Sequence, residues 1–171
     1  SMFLNGRLTS TMMHTKEMAW VPLRERRRRE RHDTLVDSVR ELLREQNQWL
    51  FLSKGEFTYP GQDSVIRAYI PEFRPIRRIH GRRLAGGIDI MGIRETPRGR
   101  VLAAYEIKTN GYGDDKPLAE QRVRRSVEQL VDFARYCGTT PVLSHLCYHG
   151  AIVAFTNLER RLSEGSIYLT F

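Results

Sequence analysis

Two apolar runs separated by a short polar segment constrain the fold of this 171-residue chain more than any other feature. The runs cover residues 87–93 and 101–108, and residues 94–100 between them have turn chemistry. This pattern predicts two antiparallel strands joined as a β-hairpin. Because strand side chains alternate between the two faces of a sheet, Glu106 and Lys108 share one face and Ile107 points into the core. The pattern therefore predicts a carboxylate and an ammonium group side by side at a strand end.

Asp89 is an acidic residue within the first of these apolar runs. Aspartate is disfavoured in strands and costly to bury without a partner, so its presence there needs a reason. Carboxylates on neighbouring strands supply hard oxygen ligands for Mg²⁺, so Asp89 and Glu106 are predicted to share a divalent cation. Lys108 would then contact the attacking water or a phosphate. The alternative is that Glu-Ile-Lys is an ordinary solvent-facing tripeptide.

The charge of the chain points to a polyanionic partner. Lysine and arginine total 28 against 20 acidic residues, giving a formal net charge of +8 and a pI near 9.9. Nucleic acid is favoured over membrane, because no apolar stretch approaches the roughly 20 residues that span a bilayer. Without a signal-peptide pattern, the sequence predicts a soluble intracellular protein of the cytoplasm or nucleoid. Cys137 and Cys147 lack the paired spacing of a zinc site and are predicted to be buried thiols.

The remaining patterns divide the chain into a flexible arm over residues 1–20 and a single α/β domain over residues 21–171. The domain carries a basic insertion at about residues 54–86. The elements predicted outside the hairpin are a helix over 22–46, strands over 49–52 and 65–70, a helix over 118–136, strands over 141–148 and 151–156, a short helix over 157–165 and a last strand over 167–171.

Two arginine-rich segments are candidates for contact with nucleic-acid phosphates. Arg28 and Arg29 belong to a basic run near the start of the first helix, where cations oppose the helix macrodipole and need a compensating benefit. The alternative is a solvated charged face. The second segment lies in the insertion, which is predicted to serve substrate binding rather than the core, or in part to form a dimer arm. Its four candidate residues are Arg77, Arg78, Arg82 and Arg83.

The order of these features resembles the PD-(D/E)XK nuclease superfamily. The resemblance rests on Asp89, on Glu106-x-Lys108 seventeen positions later, on the amphipathic helix that follows and on the strand after it. Among its members the chain is most similar to archaeal Holliday junction resolvases, from about residue 88 to 155. The resemblance implies a restriction-endonuclease-like fold, with a central mixed sheet flanked by helices. It also implies a Mg²⁺- or Mn²⁺-dependent endonuclease that cuts branched or duplex DNA as a homodimer in DNA recombination.

The resemblance also suggests residues around the metal. Superfamily members usually place a glutamate on the first helix, but Glu30 and Asp33 project away from the apolar stripe, whereas His32 continues it. Cap-snatching viral endonucleases use a histidine on this helix as a metal ligand, so His32 is either a third ligand or an ordinary half-buried histidine. A histidine ligand favours Mn²⁺ relative to Mg²⁺. Gln129 matches a glutamine that often faces the site in this superfamily, so it is a candidate to support the metal ligands without binding the metal itself.

The chain departs from the resolvases in lacking a proline directly before Asp89, in lacking a well-placed helix glutamate and in having a long insertion. The last two departures leave other functions open. The alternatives are a restriction-like nuclease acting on duplex DNA or RNA, and a nucleic-acid-binding module without catalytic activity.

Overall fold

The chain alternates helices and strands in the predicted order, with its largest difference from prediction in the insertion. The computed structural model describes residues 23–46, 48–109, 116–148 and 151–155, so the predicted arm and the elements after residue 156 lie outside the described residues. The described elements are α1 Leu23–Arg44, β1 Trp49–Leu52, β2 Phe57–Tyr59, α2 Asp63–Tyr69, β3 Arg78–Ile79, β4 Arg82–Arg83, β5 Gly86–Ile88, β6 Ile90–Thr96, β7 Gly99–Lys108, α3 Lys116–Cys137, β8 Val142–Tyr148 and β9 Ala151–Phe155.

A five-stranded mixed sheet forms the centre, in the order β1-β6-β7-β8-β9. All neighbouring strands are antiparallel except β7 and β8, which run parallel. A parallel pair needs a long crossover connection, and α3 provides it. The predicted α/β class with a mixed central sheet is therefore confirmed.

The two long helices pack on opposite faces of this sheet. Buried residues of α1 cluster with Tyr105 and Ile107 of β7, whereas buried residues of α3 cluster with Leu102 and Ala104 of the same strand. These two pairs alternate along β7, as strand geometry requires. Glu106 is two positions after Ala104, so its side chain is on the α3 side of the sheet. Lys108, two positions further on, is on the same side. The predicted shared face of Glu106 and Lys108 agrees with this register.

The β6–β7 hairpin is longer than predicted. Residues 94–100 were expected to form the turn, but pairing continues to Thr96 and resumes at Gly99, which leaves only two residues between the strands. A cross-strand ion pair joins Glu95 and Arg100 at 3.0 Å. Paired opposite charges stabilise neighbouring strands, so polar residues here extend the ladder on the solvent side instead of ending it.

Helix α1 buries a narrower stripe than its sequence predicts. Val36, Val39 and Leu43 are buried against the sheet, but Leu42 is 52% exposed. Three positions at helical spacing are enough to dock the helix on β7. Leu42 also belongs to the apolar stripe of the sequence, but its position on the helix turns it to one side of the buried residues.

The insertion belongs to the core, which corrects its assignment to substrate binding alone. Phe57, Tyr59 and Phe73 are buried and pack against Phe133 and Tyr136 of α3. Residues 63–69 form helix α2, so the strand predicted over 65–70 is wrong. A short apolar run is compatible with either element, and here the helical spacing of the buried residues decides between them.

A buried carboxylate links the insertion to α3. Asp63 is only 4% exposed, and its oxygens accept hydrogen bonds from the Tyr136 hydroxyl and from Arg77, the latter at 3.2 Å. Hydrogen bonds from a hydroxyl and a guanidinium satisfy a buried carboxylate. These hydrogen bonds stabilise the contact between the insertion and α3.

Two further sequence predictions concern the helices and the thiols. None of the helices in the described ranges combines the length and hydropathy needed to cross a lipid bilayer. Cys137 and Cys147 are both buried, as predicted. Burial raises the pKa of the Cys137 thiol, which makes it a poor nucleophile.

Candidate metal site and basic cleft

Asp89 lies at the bend where the chain leaves the small β2–β5 sheet and enters the central sheet. The sequence pattern placed Asp89 inside a strand, but in the structure it lies between two strands. Its Oδ2 accepts a hydrogen bond from the Ile107 N–H at 2.9 Å, and its own N–H donates to Glu106 Oε1 at 3.1 Å. The two predicted carboxylates are thus brought together: Asp89 bonds the backbone N–H that follows Glu106, and Glu106 bonds the backbone N–H of Asp89.

Glu106 is a buried acid beside a second acid. It is 3% exposed, and this burial raises its pKa to about 8, with the charge of Asp89 adding to the effect. The ammonium group of Lys108 acts in the opposite direction on that pKa. Within the described residues no ion pair engages Glu106. A divalent cation at this point would compensate the buried negative charge.

His32 reaches the same place from α1. Its Nε2 lies 2.9 Å from the Ile107 carbonyl oxygen and 3.6 Å from Asp89 Oδ2, and its Nδ1 lies 3.5 Å from Asp33 Oδ1. The neighbouring Asp89 carboxylate raises the pKa of His32, and partial burial opposes the rise. The sequence left His32 as either a third metal ligand or an ordinary half-buried histidine. Its position beside the carboxylates is the one that a metal ligand requires. Asp33, which the helix pattern put aside, is adjacent to its second ring nitrogen.

The donor atoms around Ile107 are of types that bind divalent cations. Neighbouring ligands of an octahedral Mg²⁺ lie about 3 Å apart, given ligand distances of about 2.1 Å. His32 Nε2 has two oxygen neighbours at 2.9 and 3.6 Å. Over the described ranges, no group of three or more histidine, cysteine, aspartate or glutamate side chains could hold a metal by itself. The backbone carbonyl of Ile107 would therefore have to act as a ligand.

Metal binding at this site requires one change in hydrogen bonding. A ligating His32 Nε2 must be unprotonated, so it cannot also donate a hydrogen bond to the Ile107 carbonyl. The ring proton would then reside on Nδ1, which faces Asp33. Metal-bound histidines commonly donate their other N–H to a carboxylate in this way. The residues present thus fit a Mg²⁺ or Mn²⁺ site with the neutral imidazole.

A cleft of about 600 Å³ adjoins these atoms at the end of β7. Since α1 and α3 lie on opposite sides of the sheet, the cleft has one wall from each helix, with Lys108 and Thr109 from the strand end. The wall residues are Arg28, Arg29, His32 and Asp33 from α1, and Gln121, Arg122 and Arg125 from α3. The predicted candidates Arg28 and Arg29 are thus in the cleft. The α3 residues were not among the predicted site residues, although their i, i+1, i+4 spacing puts them on one side of the helix.

The insertion arginines lie elsewhere. Arg77 is held by Asp63, and Arg82 makes two hydrogen bonds to Asp132 of α3, at 2.9 and 3.1 Å. Arg78 donates to the Gly81 carbonyl at 3.2 Å. Arg83 is exposed. None of these four lines the basic cleft. Of the arginines predicted to contact phosphates, only Arg28 and Arg29 line this cleft.

Gln129 is also outside the cleft. Its side chain is exposed on α3, and Gln121 lines the cleft instead. Eight helical residues separate the two, which is about 12 Å along the axis. A glutamine next to the apolar stripe is therefore not enough to identify the turn of the helix that reaches the site.

No family model, curated protein or solved structure matches this chain. The chemistry available at the site rests on four donor groups, namely one imidazole, one backbone carbonyl and two carboxylates. Arginines and a lysine lie next to them. Carboxylates that can hold a divalent cation beside a cleft that attracts anions are suited to chemistry on a phosphate ester.

Proposed function

We propose that this protein is a divalent-metal-dependent nuclease that hydrolyses nucleic-acid phosphodiesters by attack of water. The observation that carries the proposal is that His32 and Asp89 meet at the Ile107 backbone, with Glu106 bonded to the Asp89 N–H, at the edge of a basic cleft. A buried acid beside a second, half-buried acid is costly unless its charge is used or compensated. A metal ion and a phosphate group would together account for both the acids and the surrounding cations.

The proposed roles follow from position. His32, Asp89, Glu106 and the Ile107 carbonyl would hold Mg²⁺ or Mn²⁺, which when bound lowers the pKa of a ligated water and offsets phosphate charge. Lys108 lines the cleft one strand period beyond Glu106, where its ammonium group can contact the phosphate or orient the water. That contact would stabilise the additional negative charge of the transition state.

The order of core elements supports the proposed membership of the PD-(D/E)XK superfamily. Helix α1, strands β1, β6 and β7, helix α3 and strand β8 follow one another as the resemblance implies, and the acidic residues lie at the bend before β6 and near the end of β7. On this proposal the fold is restriction-endonuclease-like. The four-way junction substrate and the homodimer remain predictions from the resemblance.

Cleavage of a labelled panel tests the proposal. The panel contains single-stranded, duplex, branched and four-way DNA and single-stranded RNA, each with Mg²⁺, with Mn²⁺ and with EDTA. We expect metal-dependent cleavage of at least one substrate and its loss in Asp89→Asn. Asp37→Asn is the matched control, because it makes the same change at a carboxylate of α1 that pairs with Arg40 at 3.0 Å. Binding without cleavage under every condition would contradict the nuclease and favour a binding module.

A further inference from the structure

We propose that the cleft between α1 and α3 admits nucleic acid as a single strand and holds the phosphates of that strand between its two walls. This inference rests on the proposed nuclease function and adds the form of the substrate at the site. A base-paired substrate would have to release a strand to be cut.

The distribution of cations is the first argument. Arg28 and Arg29 lie on the α1 wall, and Arg122 and Arg125 lie on the α3 wall. Positive charge on both sides of a cleft suits a chain of phosphates that passes between the walls. Positively charged grooves that follow the backbone are typical of single-strand binding.

The size of the cleft is the second argument. A volume of about 600 Å³ is within the range of small-molecule pockets, so only about one or two nucleotides fit inside. His32 and Lys108 both line the cleft, so a phosphate held in this space lies next to the proposed metal site. A strand separated from its complement can enter this space, whereas a duplex is too wide.

The α1 wall is arranged before a ligand arrives. Glu25 accepts hydrogen bonds from Arg28 at 3.4 Å and from Arg29 at 3.2 Å, which restricts two long side chains on the same side of the helix. Both guanidinium groups remain partly exposed, so they can also contact phosphate oxygens. The residues that line the cleft in the described ranges include no phenylalanine, tyrosine or tryptophan. Contacts would therefore be to phosphates, with little preference for base sequence.

Binding without metal tests this inference separately from catalysis. Fluorescence anisotropy in EDTA would compare a labelled 12-nucleotide DNA strand with the blunt duplex of the same sequence. We expect the single strand to bind at least about tenfold more tightly at equal salt. Arg125→Gln should weaken single-strand binding about threefold to tenfold and reduce the salt slope by about 0.7 for one lost phosphate contact.

Arg98→Gln is the matched control, because Arg98 is an exposed arginine in the β6–β7 turn, at the opposite end of β7 from Lys108. It should leave single-strand affinity within about twofold. Circular dichroism melting of both variants excludes unfolding as the cause of a difference.

Equal or tighter binding of the duplex would overturn the inference, as would equal effects of Arg125→Gln and Arg98→Gln. A single-strand preference without metal-dependent cleavage on the panel would support the cleft assignment and contradict the nuclease. Cleavage of blunt duplex together with no single-strand preference would do the reverse.

Discussion

Asp63 and Glu106 are both acidic and almost fully buried, at 4% and 3% exposure, yet their carboxylates have different partners. Asp63 accepts hydrogen bonds from the Tyr136 hydroxyl and from Arg77, so a hydroxyl and a cation match its charge. Glu106 accepts a hydrogen bond from the Asp89 N–H and lies beside the Asp89 carboxylate, and burial raises its pKa to about 8.

Burial of an acid does not by itself indicate its role. A buried carboxylate with a bonded cation stabilises the link between two segments, because its charge is compensated by groups of the protein itself. A buried carboxylate next to another one has a perturbed pKa and is a candidate for binding a ligand. The partners of Asp63 and Glu106, rather than their depth, separate a structural cluster from a proposed catalytic one.

The largest expected difference between the two acids is in catalysis. Glu106→Gln should reduce metal-dependent cleavage about 1,000-fold, because it removes a charged metal ligand. Asp63→Asn should keep the wild-type rate at a temperature where the protein is folded. Single-turnover rates on the best substrate of the panel measure both. A Glu106→Gln variant that cuts at the wild-type rate would place the metal site elsewhere.

The next effect is on stability as a function of pH in EDTA. The pKa of folded Glu106 is raised, so the folded state binds its proton more tightly than the unfolded state does. Stability should therefore fall as pH rises from about 4.5 through about 8, by on the order of 5 kcal/mol. The raised pKa of His32 acts in the same direction, with stability lost as pH rises above 6.5.

Urea unfolding at pH 5, 7 and 9 measures this dependence. Glu106→Gln should remove most of it, and Asp63→Asn should preserve it. A wild-type protein whose stability is unchanged from pH 5 to 9 would contradict the burial of Glu106 without a bonded cation.

His32→Asn should weaken Mn²⁺ binding about tenfold to 100-fold, as measured by isothermal titration calorimetry. In the wild-type protein, affinity should rise with pH through the raised pKa of His32, because the ligating imidazole is neutral. His80→Asn is the control, since His80 is exposed in the β3–β4 turn and asparagine tolerates its positive φ. Equal Mn²⁺ affinity in both variants would exclude His32 from the site.

Asp63→Asn should lower the free energy of unfolding by about 1–2 kcal/mol, because Arg77 loses its charged partner while Tyr136 keeps an acceptor. A double-mutant cycle with Arg77→Gln should give a smaller loss for the pair than the sum of the single losses. Additive losses would indicate that the two side chains do not interact in solution.

The smallest effect is expected for Arg77→Gln alone. The Arg77 side chain is 57% exposed, so its removal should cost less than about 1 kcal/mol of stability. Because it lies outside the cleft, the salt slope of DNA binding should not change. A slope reduced by about 0.9 on duplex DNA would return the insertion to the binding surface.

Local patterns in the sequence predicted much of the candidate site. Alternation along residues 101–108 put Glu106 and Lys108 on one face, and the neighbouring run brought Asp89 beside them. The bend at Asp89 was not predicted, because an apolar run does not show where one sheet ends and the next begins. The Ile107 carbonyl was missed for a simpler reason, since every residue has one and the sequence does not distinguish it.

Long-range pairing explains the errors in the insertion. Arg77 and Arg82 find their carboxylates 14 and 50 positions away, so a charge run gives no sign that its members are already engaged. The short apolar run around Ile66 fits a strand or a helix, and packing against α3 decided in favour of α2. Helix α1, strand β1 and helix α3 were predicted well because their periodic patterns are long or clearly bounded.

The backbone of Ile107 links the α1 layer to the α3 layer, which the sheet otherwise separates. Its carbonyl meets His32 from the α1 side, and its N–H meets Asp89, which in turn bonds Glu106 on the α3 side. An ion held there would fasten the first turns of α1 to the sheet. A ligand at 100 times its dissociation constant would add about 2.7 kcal/mol to the stability of the folded chain. Amide hydrogen exchange in the first half of α1 would then slow on addition of Mn²⁺, so the helix itself becomes a reporter of metal occupancy.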